Sequence, residues 1–135
     1  MQPVVAIRRT LKFRQLFGLY AVVRQPPNAP VPTWAAAGDL ISITRTADEL
    51  SIVCPADNIP DEFAIVPRWI CLKLEGPFPF SQTGVLLSFI VPLSNNGIPI
   101  FTISTYDTDY VLIPQEHAER ALDLLYKAGH ELTKE

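Results

Sequence analysis

Two stretches of this chain repeat one another. Shifting the sequence by 60 positions lays Ile43 on Ile103, Thr44 on Ser104, Glu49 on Asp109, Leu50 on Tyr110, Ile52 on Leu112 and Val53 on Ile113. Each stretch sets β-forming residues on either side of a short polar turn, residues 46–49 in one copy and 106–109 in the other. That is the pattern of a hairpin. A repeated hairpin constrains the fold more than any single motif, because neither copy can bury its apolar face alone.

The segments before and after the hairpins complete two units. Residues 11–23 alternate loosely and read as one or two strands around Gly18, with 17–23 as a core strand. Pro26, Pro27, Pro30 and Pro32 then exclude helix and central strand. Thr33 is placed to cap a very short helix over 34–37, stopped by Gly38, ahead of the hairpin 40–45 and 50–54. A turn over 55–60 and a short strand over 63–66 follow.

In the second copy, residues 68–75 form a strand ended by Gly76 and Pro77. Ser81 is placed to cap a helix over 82–95, loosened by Pro92 and stopped by Gly97. Leu86, Phe89, Ile90 and Leu93 share one face of it. Val85 and Val91 make the other side apolar too, so a second surface should cover this helix. After the second hairpin, Ala118, Ala121, Leu122 and Leu125 give a helical stripe over 115–128, ended by Gly129, with a last strand over 130–133. The expected class is α+β: two ferredoxin-like modules in tandem, residues 1–66 and 67–135, with antiparallel sheets and helices on one face. The second is a full βαββαβ unit, and the first lacks most of its second helix.

Composition narrows the function. A net charge of −3 gives no basic footprint for nucleic acid. The longest apolar run, 85–93, is broken by Ser88 and Pro92 and is far below the roughly 20 residues of a membrane span. Cys54 and Cys71 have no His or Cys at metal-ligand spacing and read as buried free thiols of a reducing, cytoplasmic protein. The basic residues Arg8, Arg9, Lys12 and Arg14 fit a solvated strand face better than a transit peptide, since the segment is not serine-rich. No nucleophile elbow, P-loop, zinc-protease helix or dinucleotide fingerprint is present, so no catalysis, cofactor or metal is expected. His117 and His130 read as solvated surface residues, and Trp34 and Trp69 as packing aromatics.

The chemistry concentrates in two places. The helix start around Ser81, Gln82, Thr83, Gly84 and Val85 offers free N–H groups and positive dipole character to a carboxylate. The hairpin tip carries Thr105, Tyr106, Asp107 and Asp109, whose carboxylates suit an ammonium or cationic side chain. Each has a plainer use: Ser81 as a cap, Gly84 in close packing, and the aspartates in fixing a turn.

The segment 81–87, Pro92-Leu93, 97–101 and 103–112 resemble ACT domains, most closely the small tandem-ACT proteins related to the CASTOR arginine sensors. Residues 17–23, 30–34, Thr44-Arg45-Thr46 and 48–51 are similar to that group's first module. The resemblance implies a ferredoxin-like fold and an amino acid or related small ligand bound at an interface between modules. It also implies roles for Thr105, Tyr106 and Asp109 in holding it. The sensors carry an acidic residue where this chain has Gln82. They contain four modules, which a homodimer of this chain would restore. A ligand-free dimerisation or protein-interaction module is the alternative.

Overall fold

The computed structural model describes residues 10–76 and 84–133. Its strands are β1 (Lys12–Gln15), β2 (Tyr20–Gln25), β3 (Ser42–Arg45), β4 (Leu50–Pro55), β5 (Arg68–Leu74), β6 (Phe101–Ser104), β7 (Asp109–Pro114) and β8 (Glu131–Leu132). The helices are α1 (Val85–Ser94) and α2 (Ala118–Lys127). The fold is α+β with two ACT-like, ferredoxin-like modules, the first degenerate, as the repeat implied.

Both modules contribute to one sheet. β2, β4 and β3 form the first module's side in the order β3-β4-β2, and β5, β7 and β6 form the second. β2 joins them by pairing antiparallel with the start of β5, Tyr20 opposite Trp69. β1 pairs with the end of β5, Phe13 opposite Leu74. Between these registers, residues 16–19 span only residues 70 and 71 of β5, so two residues bulge out. Phe17 lies in this bulge and is 93% exposed, which corrects its place in a core strand. The last strand, β8, does not reach β5. It pairs parallel with β1 at the sheet's margin.

The two hairpins superpose with an offset of 59, not 60. β3 begins at residue 42 and β6 at 101, while β4 begins at 50 and β7 at 109. The turn bond from Thr46 N–H to the Glu49 carbonyl recurs from Thr105 to Thr108, each at 2.9 Å. A slip of one residue turns every side chain to the other face of a sheet, so this register decides which residues are equivalent.

The first strands follow a different offset. Tyr20 pairs with Pro55 and Trp69 with Pro114, an offset of 49. The missing ten residues equal the length of α1. The first module therefore has no helix in that place: residues 33–36 are turns, with Ala35 N–H bonded to the Pro32 carbonyl at 3.1 Å. The stretch between Pro32 and Gly38, at φ +146°, is too short to carry an α-helix past its costly first turn. The expected strand over 63–66 is likewise absent. Residues Asp61–Phe63 form a 3-10 turn, and Phe63 packs on Trp34 with ring centroids 5.6 Å apart.

These differences decide how each module is covered. On the helical face, Phe13, Ile70, Leu72, Leu74, Val111 and Ile113 lie under Val85, Phe89 and Leu93 of α1 and Ala121 and Leu125 of α2. The same face of the first module, with Ala21, Val23, Leu50, Ile52 and Cys54, is covered by Ala35, Trp34 and Phe63 from its loops. The opposite face holds another cluster around Tyr20, Val53, Cys71 and Leu112, with Trp69 against Phe101 at 6.3 Å. Cys54 and Cys71 are buried free thiols. Burial pushes Cys71 up to about 12, so it stays protonated and inert.

Candidate functional site at the second hairpin tip

The tip of the β6–β7 hairpin is pinned to the end of β5. Thr108 is buried, and its Oγ1 donates to the Leu74 carbonyl at 2.8 Å. Thr105 closes the turn, its Oγ1 donating to the Thr108 carbonyl at 3.0 Å. Gly76 completes the contact. A Cβ there would stand 3.0 Å from the Asp107 carbonyl and 3.1 Å from Thr108 Cβ. Glycine at 76 thus suits the close approach of the two segments, since a side chain there would push its neighbours back by a few tenths of an ångström.

The tip presents its acids outward. Tyr106 is 81% exposed, Asp107 is exposed and Asp109 is half-buried. The Ser104 hydroxyl donates to Asp109 Oδ1 and fixes that carboxylate. Asp107 makes no ion pair among the described residues. Its charge reaches Tyr110, whose phenol is raised chiefly by burial, with Cys71 and then Asp107 and Asp39 adding to the rise against Arg14. Thr105, Tyr106, Asp107 and Asp109 are therefore brought together as expected. Ser104, Thr108 and Gly76 are the supporting residues that sequence reasoning passed over. The identities Thr46/Thr105, Asp48/Asp107 and Pro55/Pro114, which appear only at the offset of 59, were the available signal.

The helix start differs from expectation. Ser81, Gln82 and Thr83 lie outside the described residues. α1 begins at Val85, with Gly84 as its N-cap at φ +78°, a left-handed conformation suited to glycine. Gly84 has no side chain to cap the first-turn N–H groups. Val85 is buried in the core, so only its backbone can face a ligand. Val85 also shares its face with Phe89 and Leu93 instead of opposing them, and the outward apolar residues are Leu87 and Val91.

His130 is a further correction. It is 4% exposed and ties three segments together. Leu11 N–H donates to its Nδ1 at 3.1 Å, its Nε2 meets the Ser88 carbonyl at 3.1 Å, and its ring lies 5.1 Å from that of Phe89. An acceptor at Nδ1 and a donor at Nε2 define a neutral imidazole. Burial lowers its pKa below the usual histidine value, opposed by the Ser88 carbonyl.

The equivalent tip in the first module is already occupied. Arg24 donates from Nη2 to the Asp48 carbonyl at 2.8 Å, and its Nε lies 3.8 Å from Glu49 Oε1. Asp48 corresponds to Asp107 at the hairpin offset, and Arg24 to Lys73 at the first-strand offset. Lys73 makes no ion pair among the described residues.

A family model for the ACT domain matches residues 64–127, and a model described as an N-terminal domain matches residues 18–62. The crystal structure of protein Atu0741 from Agobacterium tumefaciens is 45% identical over 94% of this chain and 95% of that one, with a TM-score of 0.84. The chain is an ACT-domain protein of the same family as Atu0741. VC0802 from Vibrio cholerae, a protein of unknown function titled a possible transport protein, shares the fold at 19% identity and a TM-score of 0.70, over 93% of this chain and 92% of its own. The ligand-free regulatory subunit of aspartate kinase from Thermus thermophilus shares it at 16% identity and a TM-score of 0.56, over 84% of this chain and 93% of its own. No curated protein matches the chain. Among the described residues, no helix of this ACT protein is long and apolar enough to cross a membrane.

Proposed function

We propose that this ACT protein is a non-catalytic, cytoplasmic regulator related to the CASTOR-type sensors. It binds an amino acid or related small molecule at an interface between modules, with no cofactor. The observation that carries this reading is the contrast between the tips. In the first module a guanidinium rests on the hairpin turn, supplied by Arg24. In the second, Asp107 and Asp109 stand on an equally fixed turn, and neither makes an ion pair among the described residues. A free ligand's cationic group would take that place, and its carboxylate would meet the N–H groups at the start of α1.

A homodimer fits the outward face of α1, where Leu87 is 55% and Val91 38% exposed. The same face favours a second reading, a ligand-free interaction module. Thermal-shift measurements with the twenty amino acids separate the two. A ligand at a hundredfold excess over its Kd should stabilise the fold by about 2.7 kcal/mol. The Asp109→Ala variant should lose that shift while unfolding cooperatively on its own. Stabilisation unchanged in the variant would refute this site, and no response to any amino acid would favour the interaction module.

A further inference from the structure

A groove of about 270 Å³ opens between the modules on the side of the sheet away from the helices. Ser42, Thr44 and Ser51 line it from the β3–β4 hairpin, and β6 lines it from the other module with Phe101, Thr102 and Ser104. The hydroxyls of Ser42, Thr44 and Ser51 lie on the same face as Val53 and make no hydrogen bond among the described residues. Thr102 and Ser104, opposite Val111 and Asp109, turn their side chains to the other face, so β6 offers the groove Phe101, Ile103 and backbone. Among the described residues β6 pairs only with β7, so its outer backbone edge adds donors and acceptors to the wall.

These features select a ligand. The volume lies just under the range of drug-sized pockets, which suits a small molecule. No ionisable side chain lines the groove, so a charged ligand would be desolvated without a counter-charge. Hydroxyls that both donate and accept, beside the half-buried ring of Phe101 and the buried Val53, match a molecule with alternating polar and C–H faces. We infer that this inter-module groove is a second binding site, for a neutral polyhydroxylated molecule of monosaccharide size. It is separable from the amino-acid reading, since its hydroxyls come from the first hairpin and the proposed amino-acid contacts from residues 105–109.

The test is amide-resolved NMR of the full chain titrated separately with glucose, myo-inositol and arginine. Glucose or myo-inositol should shift the amides of residues 42, 44, 51 and 101–104, with a Kd of about 1–10 mM. Thr44→Val and Ser42→Ala should keep the fold and each weaken that binding about three- to tenfold through one lost hydrogen bond. Silence towards both polyols, or shifts that the two variants leave unchanged, would overturn the site. Shifts caused by arginine alone, at 105–109, would overturn it while leaving the proposed amino-acid site standing.

Discussion

The two hairpin tips share a backbone and differ in chemistry. Both are closed by a threonine whose N–H bonds the residue three positions on, and both carry an aspartate two residues after it. The first tip is closed off by Arg24. The second is anchored from below by Thr108 on the Leu74 carbonyl, which leaves its carboxylates facing outward. Duplicated architecture can therefore diverge: one copy pairs its turn with its own arginine, and in the proposed function the other keeps its charge for a ligand.

The covers of the two modules differ as well, and this predicts the largest effect. Phe89→Ala removes a fully buried ring that packs on Phe13 at 5.0 Å and should cost about 3–5 kcal/mol in urea unfolding. Phe63→Ala, in the loop cover of the first module, should cost less than half as much, because Phe63 is only half-buried. Equal losses would show that the loops pack as a helix layer does.

Acid should act on the second module through His130. Its folded pKa lies below the unfolded value, so the unfolded chain binds the proton more readily. The contribution of the neutral ring is complete above about pH 6.5 and is lost as pH falls through the lower, folded value. Protonation would set an Nδ1–H against the Leu11 N–H. Unfolding free energies should fall between pH 7.5 and 5, and His130→Gln should flatten that slope. A slope unchanged in the variant would assign it to other groups.

The smallest effects concern the tips themselves. Arg24→Ala should cost no more than about 1 kcal/mol, as exposed ion pairs do, and Lys73→Ala should fall within about 0.5 kcal/mol of the parent. A larger loss at Lys73 than at Arg24 would break the contrast.

Much of this was legible in the residues. Proline and glycine positions marked the loops and helix ends, and alternation marked each strand. The register was harder, because residues 52–54 and 111–113 are apolar without a break, and a continuous run fits an offset of 60 almost as well as 59. Only the turn threonines and the prolines closing β4 and β7 distinguish them. The missing first helix was misread because Trp34 to Ala37 has helical propensity, but four residues stopped by Gly38 are too few to repay helix nucleation. His130 looked like a surface residue because its partners, the Leu11 N–H and the Ser88 carbonyl, are backbone groups distant in sequence.

The central claim is that the second tip, and not the first, receives a cationic amino acid. Titrating the protein with arginine and following backbone amides tests it most directly. The account predicts saturable shifts at Thr105, Tyr106, Asp107 and Asp109 with Thr46, Asp48 and Glu49 unmoved. Equal shifts at both tips, or none at the second, would contradict it.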